Sequence, residues 1–385
     1  MARAPVAAPG SATLTGAPRL VLRGREIPVV LPRRRDPRLQ LAAVLITVQV
    51  LGQTVLDFKL SIAQILVSIG VCAVVEMTVT FRREQILMWP ASAMLTGNSV
   101  ALILRASGTE HGDWWSLNGI HYFVLAALLS LLSKYLIRPG GRHLFNPSNV
   151  GLVWTLLVIG PTGVFPQYLW WGPLGVPVGV TVAVILVGAV WVLRPMKMIP
   201  MALAFLLPYA ALIGVFAASG RSFYAIWHPG PVSGAFYWVN IVLSPEVLIF
   251  VFFMMSDPQT APKTPVGRII YGVATALVAA GLIFFQPTEF GVKLGILSSL
   301  TVTCALVPMI ERASRWLQRR GHQGAIVQPS DPRPLPRRLA EAALKPSVVA
   351  AAIIAVAAPV DTAALADNHE LILIEQGLST RPNPQ

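Results

Sequence analysis

Ten apolar stretches separated by short polar segments dominate this chain and leave few ways for it to fold. They cover residues 41–58, 60–81, 87–104, 119–137, 150–165, 173–193, 198–218, 237–255, 269–285 and 291–310. A bilayer core takes about 20 apolar residues per helix, so each stretch reads as one span, the fifth being short. Only 12% of the 385 residues are charged, against about 25% in a soluble domain. Backbone groups in lipid must be satisfied within the segment itself. The expected fold class is therefore an all-α polytopic membrane protein with about ten transmembrane helices.

The net charge of +13 invites a nucleic-acid reading, but the positions of the charges exclude it. Lys and Arg cluster at the chain ends and in alternate loops, as insertion topology requires. With the N-terminus in the cytoplasm, the inner side holds 25 of them and the outer loops hold Lys59, Arg105, Arg221 and Lys293. Trp114, Trp115, Trp170, Trp171 and Trp227 then fall at the outer interface. A bacterial cytoplasmic (inner) membrane protein is expected. Residues 1–40 and 312–346 read as basic cytoplasmic flanks, disordered or lying on the membrane surface, around a membrane domain at 41–311. The tail, 347–385, holds a short Ala-rich apolar segment that reads as surface-lying rather than as an eleventh span.

Two helices are interrupted by Pro and small polar residues. The third carries Trp89-Pro90-Ala91-Ser92 and Thr96-Gly97-Asn98-Ser99; the eighth carries Ser244-Pro245-Glu246 and ends at Ser256-Asp257-Pro258. They occupy equivalent places if the protein is two five-helix halves, and an odd number of helices makes the halves inverted. Paired broken helices in inverted halves point to a site near the midplane; the plainer alternative is a pair of packed kinks. Glu76 and Glu246 are the carboxylates well inside spans, where charge is costly and faces a cavity or a partner. Asn98, Gln49, Gln53 and Gln64 add polar capacity to the same cavity. The competing expectation is that Glu246 caps backbone freed by Pro245 and that Glu76 sits near the inner interface.

Familiar catalytic patterns are missing. Cys72 and Cys304 form no CxxC pair, His121 alone among six histidines reaches a span, and no phosphate loop, HExxH or nucleophile elbow occurs. The chain is at most a non-autonomous oxidoreductase subunit.

Three strings carry a family resemblance. Phe145-Asn146-Pro147-Ser148-Asn149-Val150-Gly151 is similar to an FNPA-x-x-G element, and Ser92-Ala93-Met94-Leu95-Thr96-Gly97 to a SALVTG element. Phe252-Phe253-Met254-Met255-Ser256-Asp257-Pro258-Gln259-Thr260-Ala261-Pro262, followed by Gly267-Arg268 and Tyr271-Gly272, resembles FFMATDPVTSP…GR…YG. Together they resemble the NqrB/RnfD family, membrane subunits of the Na⁺-pumping NADH:quinone oxidoreductase and of the Rnf complex, and within it the stand-alone UnbU-type members of enediyne biosynthetic clusters. The resemblance implies a ten-helix inverted-repeat fold, flavin binding and a part in electron transport. The family's flavinylated Thr lies between the fifth and sixth helices, where this chain has Pro166-Gln167-Tyr168-Leu169-Trp170-Trp171-Gly172. Without that hydroxyl no covalent FMN is expected. FMN or riboflavin held noncovalently by Asn146, Asn149, Asp257 and Thr260 remains, with redox subunits or biosynthetic enzymes as partners. Against this stand a transporter using Glu76, Asn98 and Glu246 at a cavity, and an accessory protein anchoring pathway enzymes.

Overall fold

The computed structural model describes residues 18–22, 24–33, 36–171 and 175–322. The apolar tail segment lies outside them.

Several helices begin where the sequence supplies a side-chain cap. Asp36 accepts a hydrogen bond from the Arg38 backbone N–H, and Pro37 fills the first position of α1 (Pro37–Thr54). The Arg38 guanidinium chelates the same carboxylate at 2.7–3.2 Å and holds its pKa below the usual range. Ser61 and Gln64 form a reciprocal capping box at the start of α2 (Ile62–Glu84), which ends on Arg82 and Arg83 and a left-handed Gln85. Cations at that terminus complement the helix dipole.

The third apolar stretch is only partly helical. Strand β1 (Arg19–Leu22) pairs antiparallel with β2 (Arg25–Val30), and β2 pairs parallel with β3 (Leu87–Met88). Trp89 precedes a proline and so avoids helical backbone; its N–H donates to Val30 O instead. Helix α3 (Ala91–Ile103) then runs for 13 residues into β4 (Leu104–Ala106). The basic N-terminal flank is thus in part an ordered hairpin, because β3 gives it an edge to pair with.

After α4 (Ile120–Leu136), Asn146 caps α5 (Pro147–Ile159), another 13-residue helix, whose end turns back through β5 (Val164–Pro166) to pair with β4. Thirteen residues rise about 20 Å, short of a roughly 30 Å core. Both short helices are largely buried among neighbours, where protein rather than lipid must satisfy their ends.

Helices α6 (Val176–Met196) and α7 (Ile199–Ala218) are joined by a left-handed Lys197. A hairpin of β6 (Ser222–Tyr224) and β7 (Pro231–Ser233) leads to α8 (Gly234–Val242). The chain then breaks at Ser244 and continues as α9 (Pro245–Ile249) and a π-helical turn, Phe250–Met255. α10 (Pro265–Ile283) is capped by Thr264. α11 (Glu289–His322) carries on past the apolar stretch, so the start of the second basic flank is helical.

Among the described residues six helices are long and apolar enough to cross a membrane: α2, α6, α7, the broken run Gly234–Met255, α10, and α11 as far as Gln318. Helices α3, α4 and α5 are apolar but shorter.

The packing is sequential. α2 lies on α3 and α4, and α4 on α5; α7 lies on α8 and α10, and α10 on α11. Across the molecule α1 meets α6 and α5 meets α11. Glycines allow the closest approaches. A methyl group on Gly97 would meet the Ser68 backbone of α2, and one on Gly272 would meet Met201 O of α7, as expected where helices pack through small residues.

Loops gather at two ends. At one, the Arg142 guanidinium donates to Gln259 O at 2.6 Å and to Ala261 O at 3.3 Å, while Arg268 reaches Lys197 O at 3.2 Å. At the other, Ile62 N–H donates to Trp114 O, Ser107 N–H to Gly163 O and Tyr224 N–H to Pro287 O. The loops around residues 138–142 and 263–268 therefore share one end.

Candidate functional site

Pro245 interrupts the eighth stretch and frees backbone that needs a partner. Ser244 supplies it, its hydroxyl accepting from Val247 N–H at 3.4 Å. Glu246 is thus not the cap that one sequence reading made it. Its Oε1 instead accepts from Trp171 Nε1 at 3.2 Å and lies 3.4 Å from Lys293 Nζ. Glu246, Lys293 and Trp171 are 6%, 3% and 1% exposed, so water does little to screen the pair. At that distance the contact is an ion pair rather than a well-formed hydrogen bond, and Nζ has no other hydrogen-bond partner.

Lys293 stands one turn after Glu289 at the start of α11. Both Glu289 oxygens are engaged: Oε1 accepts from Leu169 N–H at 2.6 Å and Oε2 from Trp227 Nε1 at 2.8 Å. Arg105 of β4 is within electrostatic reach of Glu289 and Lys293. Its guanidinium lies over the Tyr168 ring at 4.1 Å, and Nη1 lacks a hydrogen-bond partner. Two acids and two bases thus share one buried cluster. Beside it is a cavity of about 10 Å³ lined by Glu246, Lys293, Ile103, Leu169, Phe250 and Leu297, room for roughly one water.

Lys293 and Arg105 correct the sequence reading, which placed both in outer loops. Lys293 lies inside α11, which starts at Glu289, and β4 draws Arg105 inward by pairing with β5. The Glu289–Lys293 spacing of four residues was the available signal, since such positions share a helix face.

A second buried pair lies towards the opposite end. Lys134 Nζ of α4 donates to Glu76 Oε1 at 2.9 Å and to Ser92 Oγ at 3.1 Å. Glu76 Oε2 is buried without a hydrogen-bond partner. Between the two levels are Gln49 of α1 and Asn98 of the adjacent α3. Each lies five residues before the end of its helix, about 7–8 Å of rise. Both Gln49 amide atoms and Asn98 Nδ2 are buried without hydrogen-bond partners. Gln64 is not part of this group: its amide bonds Ser61 N, Thr109 Oγ1 and Asn118 O. Gln53 donates to Leu60 O at 2.9 Å.

The residues expected to hold flavin have other partners. Asn146 Nδ2 donates to Met254 O at 3.1 Å, while its Oδ1 accepts from Ser148 Oγ and Asn149 N–H. Asn149 Nδ2 donates to Leu297 O at 2.9 Å, and its Oδ1 accepts from Thr301 Oγ1 at 2.7 Å. Both amides thereby tie α5 to the π-helical turn and to α11. Asp257 Oδ1 accepts from Gln259 N–H at 2.9 Å in an Asx turn, with His143 Nε2 4.0 Å from Oδ2. Thr260 Oγ1 donates to Asp257 O at 3.4 Å.

No protein-family model and no curated protein matches the chain.

Proposed function

We propose that this chain is a multi-pass protein of the bacterial cytoplasmic membrane, of NqrB/RnfD type, with ten spans in two inverted five-helix halves and its N-terminus inside. Its function is to move charge across the bilayer through buried acid–base pairs. The helix neighbours support the two halves. α1 on α3 corresponds to α6 on α9, α2 on α3 and α4 to α7 on α8 and α10, and α4 on α5 to α10 on α11. The pairs α1·α6 and α5·α11 are those that a two-fold axis in the membrane plane brings together. The NqrB/RnfD resemblance is supported by the meeting of its strings, since Asn146 bonds Met254 O within the third of them.

The observation that carries translocation is the Glu246–Lys293 pair, buried with one water-sized space beside it. Ionisable groups are kept inside membrane proteins chiefly along ion and proton pathways. The test is proton flux into proteoliposomes of purified protein, followed with an internal pH dye under an imposed potential. Glu246→Gln should remove most of the flux while the protein remains folded; unchanged flux would sink the reading.

Electron transport through a noncovalent FMN or riboflavin, with redox subunits or biosynthetic enzymes as partners, is the second reading. It is favoured by the convergence of the resembling strings at one end of the bundle. A flavin absorbance spectrum in purified protein, released on denaturation, would support it, and a colourless preparation would count against it.

A further inference from the structure

We propose that the Lys293 ammonium is the resident cation of the Glu246 site, so that the charge relayed there is the proton and no metal cation is required. This rests on the translocation reading above.

Glu246 is buried and needs a positive partner. Lys293 provides one on a stem anchored in α11, 3.4 Å from Oε1. A hard metal cation takes about six oxygen ligands, whereas Ile103, Leu169, Phe250 and Leu297 make most of the cavity wall apolar. Among the described residues no group of three or more His, Cys, Asp or Glu stands together. The space admits roughly one water, too little for a hydrated ion.

The charged groups that act on Lys293 are Glu246 of α9, Glu289 of its own helix and Arg105 of β4, with Trp171 bonded to Glu246. Glu289 has both oxygens occupied by Leu169 N–H and Trp227 Nε1, which leaves Glu246 as the exchanging partner. The step moves one proton from Nζ to the Glu246 carboxylate, directly or through one water, turning an ion pair into a neutral amine and a neutral acid. Its reverse restores the pair.

Thermal unfolding of the purified protein in detergent, read by Trp fluorescence, tests this without any transport assay. Lys293→Ala should lower Tm, and propylammonium, which replaces the lost stem and charge, should restore most of the loss. Sodium or choline at the same ionic strength should not. Glu246→Gln with Lys293→Met should keep Tm near that of the unaltered protein and ignore propylammonium. Restoration by sodium, or no restoration by propylammonium, would overturn the proposal. In proteoliposomes, proton flux should be equal in sodium and choline buffers, and a sodium requirement would overturn it as well. Flux absent from both buffers would sink translocation alone, leaving the unfolding measurement to decide what Lys293 does.

Discussion

Lys134 Nζ lies 2.9 Å from Glu76 Oε1 and 3.1 Å from Ser92 Oγ, so one ammonium joins α4, α2 and α3 inside the bundle. The side chains of Lys134 and Glu76 are only 12% and 8% exposed. Lys134→Ala strands a carboxylate in the interior and should cost about 3–5 kcal/mol. Pairing Glu76→Gln with Lys134→Met removes both charges at similar volume and should recover most of that stability. Denaturation of the unaltered protein, Glu76→Gln, Lys134→Met and the double variant in one detergent measures the cycle. Additive losses would mean the two groups do not interact.

Asn149 offers a sharper distinction between holding helices and holding a cofactor. Asn149→Ala removes the donor to Leu297 O and the acceptor for Thr301. Leaving buried groups unpaired should destabilise the protein by about 1–3 kcal/mol. A lower Tm is therefore expected. A variant that unfolds at the original temperature but loses bound flavin would instead assign the amide to the cofactor.

Gly97 and Gly70 make a matched pair. A Cβ on Gly97 would meet the Ser68 backbone, whereas one on Gly70 meets nothing within 4 Å. Gly97→Ala should cost about 1–3 kcal/mol through overpacking, and Gly70→Ala should be nearly neutral. Equal effects in a thermal-shift measurement would show that α2 and α3 do not approach through Gly97.

The Arg142–Gln259 contact puts two loops at one end of the bundle, and the side of the membrane that end faces can be mapped directly. Cys72 and Cys304 are buried, so Cys72→Ser with Cys304→Ser provides a background for single exposed cysteines. Arg82→Cys and Lys263→Cys should react with an impermeant maleimide only from the cytoplasmic side. Glu110→Cys and Ser219→Cys should react from outside. Labelling of Arg82→Cys and Lys263→Cys from opposite sides would remove the two-ended arrangement.

The helices were legible because their signals are local. Apolar runs marked their bodies. The structure sets the starts elsewhere: Asp36-Pro37, Asn146-Pro147 and Thr264-Pro265 begin helices a few residues ahead of the apolar runs, and Ser244-Pro245 begins a new one inside a run, each pairing a side-chain oxygen with a proline that lacks an N–H to satisfy. The shortness of α3 was less visible. Trp89-Pro90 reads as a break inside an apolar run, and only the structure makes it the edge of the helix; Leu104 looks like any apolar residue until β5 arrives to pair with it.

What this sequence determined alone was the membrane-type helical chain and the rarity of charge within it, since hydropathy and capping act within a few residues of one another. The tertiary structure decided which charges meet. Glu246 finds Lys293, and Glu76 finds Lys134, because helices distant in sequence pack at one depth. It also decided that the Asn146 and Asn149 amides bond backbone carbonyls of other segments. A buried charge or amide is stabilised by whatever lies opposite it in space, and nothing local encodes that neighbour.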